Sequence, residues 1–146
     1  MVSRRTPLKI LEIYIDGASK GNPGPSGIGA IICSNGQVIK NISSYIGHAT
    51  NNFAEYTALI YALEEALILK ADALEIKTDS QLLARQLNKI YKVKSENISA
   101  LHNQAEHLLS AFKSVKITDI PREQNKGADK LATLAVKKEL LKSKTK

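Results

Sequence analysis

The strongest constraint on the fold of this chain is the order of its strand-like and helix-like segments. The stretches "LKILEIYI" and "GIGAIICSNGQVIKNISSYIG" are rich in β-branched residues and predict three strands. The Asn-Gly pair within Ser34 to Gln37 is a strong hairpin signal, so we expect these strands to be antiparallel.

The rest of the chain alternates between helical and strand patterns. A helix is predicted from about Asn52 to Lys70, and the segments that follow are a strand "ALEIKTD", helices "SQLLARQLNKI" and "ISALHNQAEHLLSAF", a strand "SVKITDIP" and a helix "ADKLATLAVKKELL". This order predicts an α/β fold with a mixed five-stranded sheet, three antiparallel strands and then parallel ones, flanked by helices. We expect one domain over residues 1–146, with flexible ends at 1–7 and 143–146.

Composition excludes several classes of protein. No apolar stretch approaches the roughly 20 residues of a membrane-spanning helix, and "MVSRRTPLK" lacks the apolar segment of a secretory signal. The single cysteine, Cys33, lies in an apolar run, where we expect a small buried side chain. These features predict a cytoplasmic monomer with no membrane partner.

The formal net charge of +7 favours a polyanionic partner. The excess of positive charge is concentrated in two lysine clusters: Lys89, Lys92 and Lys94, and then Lys137, Lys138, Lys142, Lys144 and Lys146. The second cluster also fits the solvated end of a helix.

Two aspartates follow strands that are expected to pair in parallel. Asp16 ends the first predicted strand and Asp79 ends the strand after the long helix. Sites in such sheets form at the carboxyl ends of parallel strands, which brings the two acids together. Each also has a simpler interpretation, since Asp16 suits a turn and Asp79 suits the cap of a helix that begins at Ser80.

Glu55 projects along the apolar stripe of the long helix, whereas Glu64 projects to the opposite side. A capping box with Asn52 would explain an acid at this position. It would not explain an acid that faces the sheet, because a buried carboxylate needs a hydrogen-bond network or a metal.

Asp129 lies in the first turn of the last helix, where the helix dipole favours an acid in any protein. The hard oxygen ligands of Asp16, Glu55, Asp79 and Asp129 together suit Mg²⁺. Two such ions about 3.5–4 Å apart can activate a water and stabilise the leaving oxygen of a phosphodiester. The three histidines are too scattered in the sequence to form a competing metal site.

Four motifs in this order resemble type 1 ribonuclease H over nearly the whole chain: "YIDGASKGNPGPSGIGAI", "ATNNFAEYTALIYAL", "IKTDSQLLARQL" and "NKGADKLA". The resemblance implies the ribonuclease H-like fold. It also implies that Asp16, Glu55, Asp79 and Asp129 are the catalytic, metal-binding acids. The implied reaction is endonucleolytic cleavage of the RNA strand of an RNA–DNA hybrid, leaving a 5′-phosphate and a 3′-hydroxyl. The implied cofactor is two Mg²⁺ ions, and Mn²⁺ fits the same ligands.

The resemblance also implies a set of substrate contacts. Ser19, Gly21 and Asn22 would contact the RNA strand, Asn51 and Asn52 the groove of both strands, Gln81 the bases or sugars, and Thr50 a DNA phosphate. A loop of small residues suits this role, because reading 2′-hydroxyls in a shallow groove requires close-lying backbone.

The chain departs from the family pattern in two places. The loop "IPREQNKGAD" has no histidine, so Arg122 or Glu123 is expected to assist there, with Arg122 favoured because it follows Pro121 close to the sheet. The segment "LNKIYKVKSENISAL" is too short for the basic, Trp-containing protrusion of well-known members. Hybrid affinity is therefore expected to rest on the two lysine clusters.

Three alternative functions fit the sequence less well. A non-catalytic nucleic-acid-binding domain on the same fold would have lost one or more of the four acids, and none is replaced. A ribonuclease H domain of a reverse transcriptase polyprotein is disfavoured by the start at Met1 and the compact ending. A basic structural protein without a ligand does not explain the inward-facing Glu55.

Overall fold

The computed structural model describes residues 8–144, apart from the side chain of Lys144. The elements in chain order are β1 (Ile10–Ser19), β2 (Gly24–Ser34), β3 (Gln37–Ala49), α1 (Asn51–Ile68), β4 (Ala73–Thr78), α2 (Gln81–Leu87), α3 (Glu96–Leu109), β5 (Ser114–Asp119), a 3-10 turn (Arg122–Gln124) and α4 (Lys126–Lys144). This order agrees with the order predicted from the sequence.

The five strands form one mixed sheet in the order β3-β2-β1-β4-β5. Strands β1, β2 and β3 pair antiparallel, whereas β1, β4 and β5 pair in parallel. The hairpin between β2 and β3 turns at Asn35 and Gly36, which have φ angles of 52° and 78°. Two consecutive positive φ angles match the type I′ turn that joins twisted strands, so the predicted topology is confirmed.

Helices cover the two faces of the sheet because side chains alternate along each strand. Ile13 and Ile15 of β1 and Ile28 of β2 point into a fully buried core with α1. On the other face, α4 packs against Gly27 and Gly29 of β2. A Cβ atom at Gly29 would lie 2.2 Å from the carbonyl oxygen of Ala128, so glycine allows the helix backbone to approach the sheet closely.

The first strand is longer than predicted. Asp16 does not end β1, which continues to Ser19, because β2 keeps pairing with β1 as far as Ser26. Pairing with β4 stops earlier, at Ile15 and Thr78. Asp16 therefore comes directly after the last β1 residue that pairs with β4, at the carboxyl end of the parallel pairing.

Helix starts and ends also differ from the sequence interpretation. The cap of α1 is the Thr50 hydroxyl, which accepts a hydrogen bond from Phe53 N at 3.2 Å, so the capping box with Asn52 is wrong. Ser80, rather than Asp79, caps α2 through Leu83 N at 3.1 Å. Helix α2 ends at Leu87, earlier than predicted.

Cys33 is buried, with 8% of its surface exposed. Among residues 8–144, no helix has the length and apolarity needed to cross a membrane. Of the ends predicted to be flexible, 1–7 and 145–146 lie outside the described residues, and Ser143 and Lys144 belong to α4.

Candidate active site

Two carboxylates meet at the carboxyl ends of neighbouring parallel strands. The last paired residues of β1 and β4 are Ile15 and Thr78. The next residue in each chain segment is an aspartate, Asp16 and Asp79, so both acids lie at the same level, just beyond the parallel pairing. Asp16 is 6% exposed, whereas Asp79 is half-buried.

A glycine brings Glu55 beside this pair. The first turns of α1 pack so closely on β1 that a Cβ atom at Gly17 would lie 2.5 Å from Glu55 N and 2.5 Å from the carbonyl carbon of Ala54. Any side chain at residue 17 would push α1 away from the strand. Sequence reasoning assigned Gly17 no role, and its only signal was its position directly after Asp16.

Three acids converge. One carboxylate oxygen each from Asp16, Glu55 and Asp79 lies within 4.8 Å of the other two. Asp129, from the first turn of α4, lines the same cleft of about 460 Å³ without belonging to this closest group. All four predicted acids therefore face one cleft, which Arg122 and Thr133 also line.

The acids raise each other's pKa. Burial, followed by the charges of Asp79 and Glu55, raises the pKa of Asp16 to about 9, and Asp129 adds to this through a hydrogen bond and its charge. Burial and the charge of Asp79 raise the pKa of Glu55 to about 8, against a hydrogen bond from Thr78. Burial raises the pKa of Asp79, opposed first by Arg122 and then by Asn125. Of the charged groups that act on these three acids, only Arg122 is positive.

The site fits divalent cations. The Oε2 atom of Glu55 is buried without a hydrogen-bond partner. Clustered carboxylate oxygens of this kind are the ligands that Mg²⁺ and Mn²⁺ prefer. Within the described residues, the only group of three or more acids, cysteines or histidines suited to a metal is Asp16, Glu55 and Asp79, so no histidine takes part.

Asn125 connects the strand end to the start of α4. Its Nδ2 atom donates a hydrogen bond of 2.9 Å to the carbonyl oxygen of Ile15, and its side chain is 1% exposed. The main-chain carbonyl oxygen of Asn125 accepts a hydrogen bond from Asp129 N at 3.1 Å. The sequence alone did not assign Asn125 a role in the site. A polar residue just before a helix is common, so its presence there does not indicate a functional site.

The predicted RNA-contacting residues form a hydrogen-bonded loop beside the acids. Ser19 N donates to Asn51 Oδ1 at 3.1 Å, and Asn51 N donates to Asn22 Oδ1 at 3.0 Å. Ser19 Oγ lies 2.6 Å from the carbonyl oxygen of Gly21, whose φ angle of 80° favours glycine. Ser19 and Asn51 line the cleft of the acids.

The other predicted substrate residues do not line the cleft of the acids. Thr50 caps α1 and lines a separate pocket with His48 and Phe53. Asn52 lines a cavity of about 560 Å³ that Lys92 and Lys94 also border. Gln81 is exposed at the start of α2.

The two candidates for the missing histidine are placed differently. Arg122 lines the cleft, and its positive charge lowers the pKa of Asp79 against the effect of burial. Glu123 is exposed in the same 3-10 turn and does not line the cleft. Its position in the cleft therefore favours Arg122 over Glu123 as the residue that assists in place of the missing histidine.

A comparison with known families agrees with this geometry. The family model described as "Reverse transcriptase-like" matches residues 14–135. A ribonuclease HI of Halobacterium salinarum is 41% identical over 127 residues, which are 86% of this chain and 64% of the relative. The chain belongs to the ribonuclease H family.

Solved structures of ribonucleases H are closely similar. The crystal structure of the H. salinarum enzyme has a TM-score of 0.86 at 39% identity, covering 88% of this chain and 98% of that one. LC11-RNase H1 in complex with an RNA/DNA hybrid has a TM-score of 0.84 at 39% identity, covering 89% and 99%. Full-length relatives are longer: the chain spans 64% of the H. salinarum protein and 35% of the bifunctional protein Rv2228c of Mycobacterium tuberculosis, to which it is 39% identical.

Proposed function

We propose that this protein is an endonuclease that hydrolyses the RNA strand of RNA–DNA hybrids, leaving a 5′-phosphate and a 3′-hydroxyl. The observation that carries the proposal is the convergence of Asp16, Glu55 and Asp79, with ligand atoms within 4.8 Å of one another in an open cleft. The 39% identity to LC11-RNase H1, which was solved with an RNA/DNA hybrid, supports the choice of substrate.

The residues of the cleft have two different roles. Asp16, Glu55, Asp79 and Asp129 would hold two Mg²⁺ ions, or Mn²⁺. Such ions activate a water and stabilise the leaving oxygen of a phosphodiester. Arg122, which stays protonated and lines the same cleft, orients the scissile phosphate.

Selectivity for RNA is assigned to the loop beside the acids. Asn51 Oδ1 accepts from Ser19 N, and Asn22 Oδ1 accepts from Asn51 N, so both Nδ2 groups are left as donors. Donors held in place by these hydrogen bonds suit the 2′-hydroxyls in the shallow groove of a hybrid. We further propose that the enzyme acts as a monomer in the cytoplasm, with Thr50 contacting a DNA phosphate, Asn52 the groove of both strands and Gln81 the bases or sugars.

The proposal is tested with a hybrid whose RNA and DNA strands carry different labels. We expect cleavage of the RNA strand alone in Mg²⁺ or Mn²⁺, and none after chelation with EDTA. Analysis of the product ends should give a 5′-phosphate and a 3′-hydroxyl. Cleavage that survives complete chelation would contradict the metal-dependent mechanism, and binding without cleavage would indicate a non-catalytic hybrid-binding domain.

Variants of the loop before α4 test its two charged residues. Because Arg122 lines the cleft, Arg122→Ala is expected to lower kcat/KM by about 10–100-fold, mainly through substrate positioning. Glu123→Gln should leave both single-turnover and steady-state rates near wild type, because Glu123 faces solvent outside the cleft. Slow multiple turnover with a normal first turnover in Glu123→Gln would instead assign product release to Glu123.

A further inference from the structure

A second groove continues from the active-site cleft between the end of β1 and helix α4. It has a volume of about 330 Å³. Ala18, Ser19 and Thr133 line both the groove and the cleft of the acids. A chain bound at the acids therefore has a continuous path from one to the other.

One face of α4 runs along this path. Asp129, Thr133 and Lys137 are spaced four residues apart, so they share a face of the helix. Asp129 lines the cleft, Thr133 borders both cavities, and Lys137 lines the groove. At 1.5 Å per residue, Lys137 lies about 12 Å along the helix from Asp129, a span that a nucleic-acid strand covers in a few nucleotides.

The charge of the groove is opposite to that of the cleft. Exposed lysines are contributed by both of the elements that form it, Lys20 directly after β1 and Lys137 on α4. Val136 and Leu140 supply an apolar floor. None of its lining residues, all within the described part of the chain, is acidic. Two cations on either side of an open groove suit a polyanion such as a phosphate backbone.

We infer that this groove holds the RNA strand on one side of the cleavage site, with Lys20 and Lys137 contacting its phosphates. The inference rests on the proposed function, since the strand at the acids is the RNA strand and the groove continues the same path. It adds a region outside the cleft that binds phosphates of the RNA strand. Lys20 and Lys137 would position that strand relative to the acids.

The test replaces each lysine by the neutral, similarly long glutamine. Lys20→Gln, Lys137→Gln and the double variant are compared with Lys116→Gln, a control at an exposed lysine of β5 that lines neither the groove nor the cleft. We expect the double variant to raise KM about tenfold at 50 mM salt with kcat little changed, and to reduce the slope of log(kcat/KM) against log[salt] by about 2. The control should keep the wild-type slope.

Hybrids with a fixed cleavage site and a shortened RNA strand locate the contact. In a series shortened from one RNA end, the defect of the double variant should disappear once the strand no longer reaches the groove. In the series shortened from the other end, the defect should persist. A double variant that matches Lys116→Gln at every length and salt concentration, while wild type cleaves the hybrid, would overturn the inference and leave the proposed function intact. Failure of wild type to bind or cleave the hybrid would overturn both.

Discussion

Asp79→Asn is expected to lower kcat by about a thousandfold while leaving the fold intact. The substitution preserves the volume of the side chain and removes the negative charge of a group within 4.8 Å of two other carboxylates. Because the amide is a poor ligand for a hard cation, we also expect weaker Mg²⁺ binding, measured by calorimetry on the substrate-free protein.

Glu64→Gln is the matched control for this variant. Glu64 lies on the same helix as Glu55 but is exposed, and it takes no part in the acidic group. Its activity and Mg²⁺ binding should match wild type. Equal losses in Asp79→Asn and Glu64→Gln would show that the catalytic site has been placed wrongly.

Asp16→Asn is expected to abolish activity to a similar extent and, in EDTA, to raise the melting temperature by about 3–6 °C near neutral pH. Burial and the neighbouring acids raise the pKa of Asp16 from 3.8 to about 9. The folded protein must therefore hold a charge in an unfavourable place or keep a proton that the unfolded chain releases. Asparagine removes this cost without changing the packing.

The gain in stability of Asp16→Asn over wild type should increase with pH. A raised pKa of an acid means that the unfolded chain binds fewer protons than the folded one between the two pKa values, so wild-type stability falls as pH rises from about 4 toward 9. The advantage of Asp16→Asn should therefore be larger at pH 8 than at pH 5. In saturating Mg²⁺ the advantage should shrink or reverse, because an ion bound to the folded state stabilises wild type.

Local patterns determined the order of elements and the topology of the sheet. β-branched runs, the Asn-Gly turn and helical spacing act over a few residues, so their consequences can be derived without the rest of the chain. The inward direction of Glu55 was predictable for the same reason, since helical spacing alone placed it on the buried stripe with Leu59.

Caps and element ends were less predictable, because several nearby residues compete for the same role. Thr50 and Asn52 are both good caps, and only the backbone conformation at Thr50 decides between them. Similarly, the end of β1 depends on how far β2 continues beside it, which moved the strand end from Asp16 to Ser19.

The sequence by itself determined which acids could form the site and which strands and helices carry them. The tertiary structure alone decided their spacing, because that depends on contacts between residues far apart in the chain. Gly17 lets α1 approach β1, and Asn125 joins β1 to the start of α4 across 110 positions. The groove beside Lys137 has the same origin, since it exists only where α4 packs against the residues that end β1.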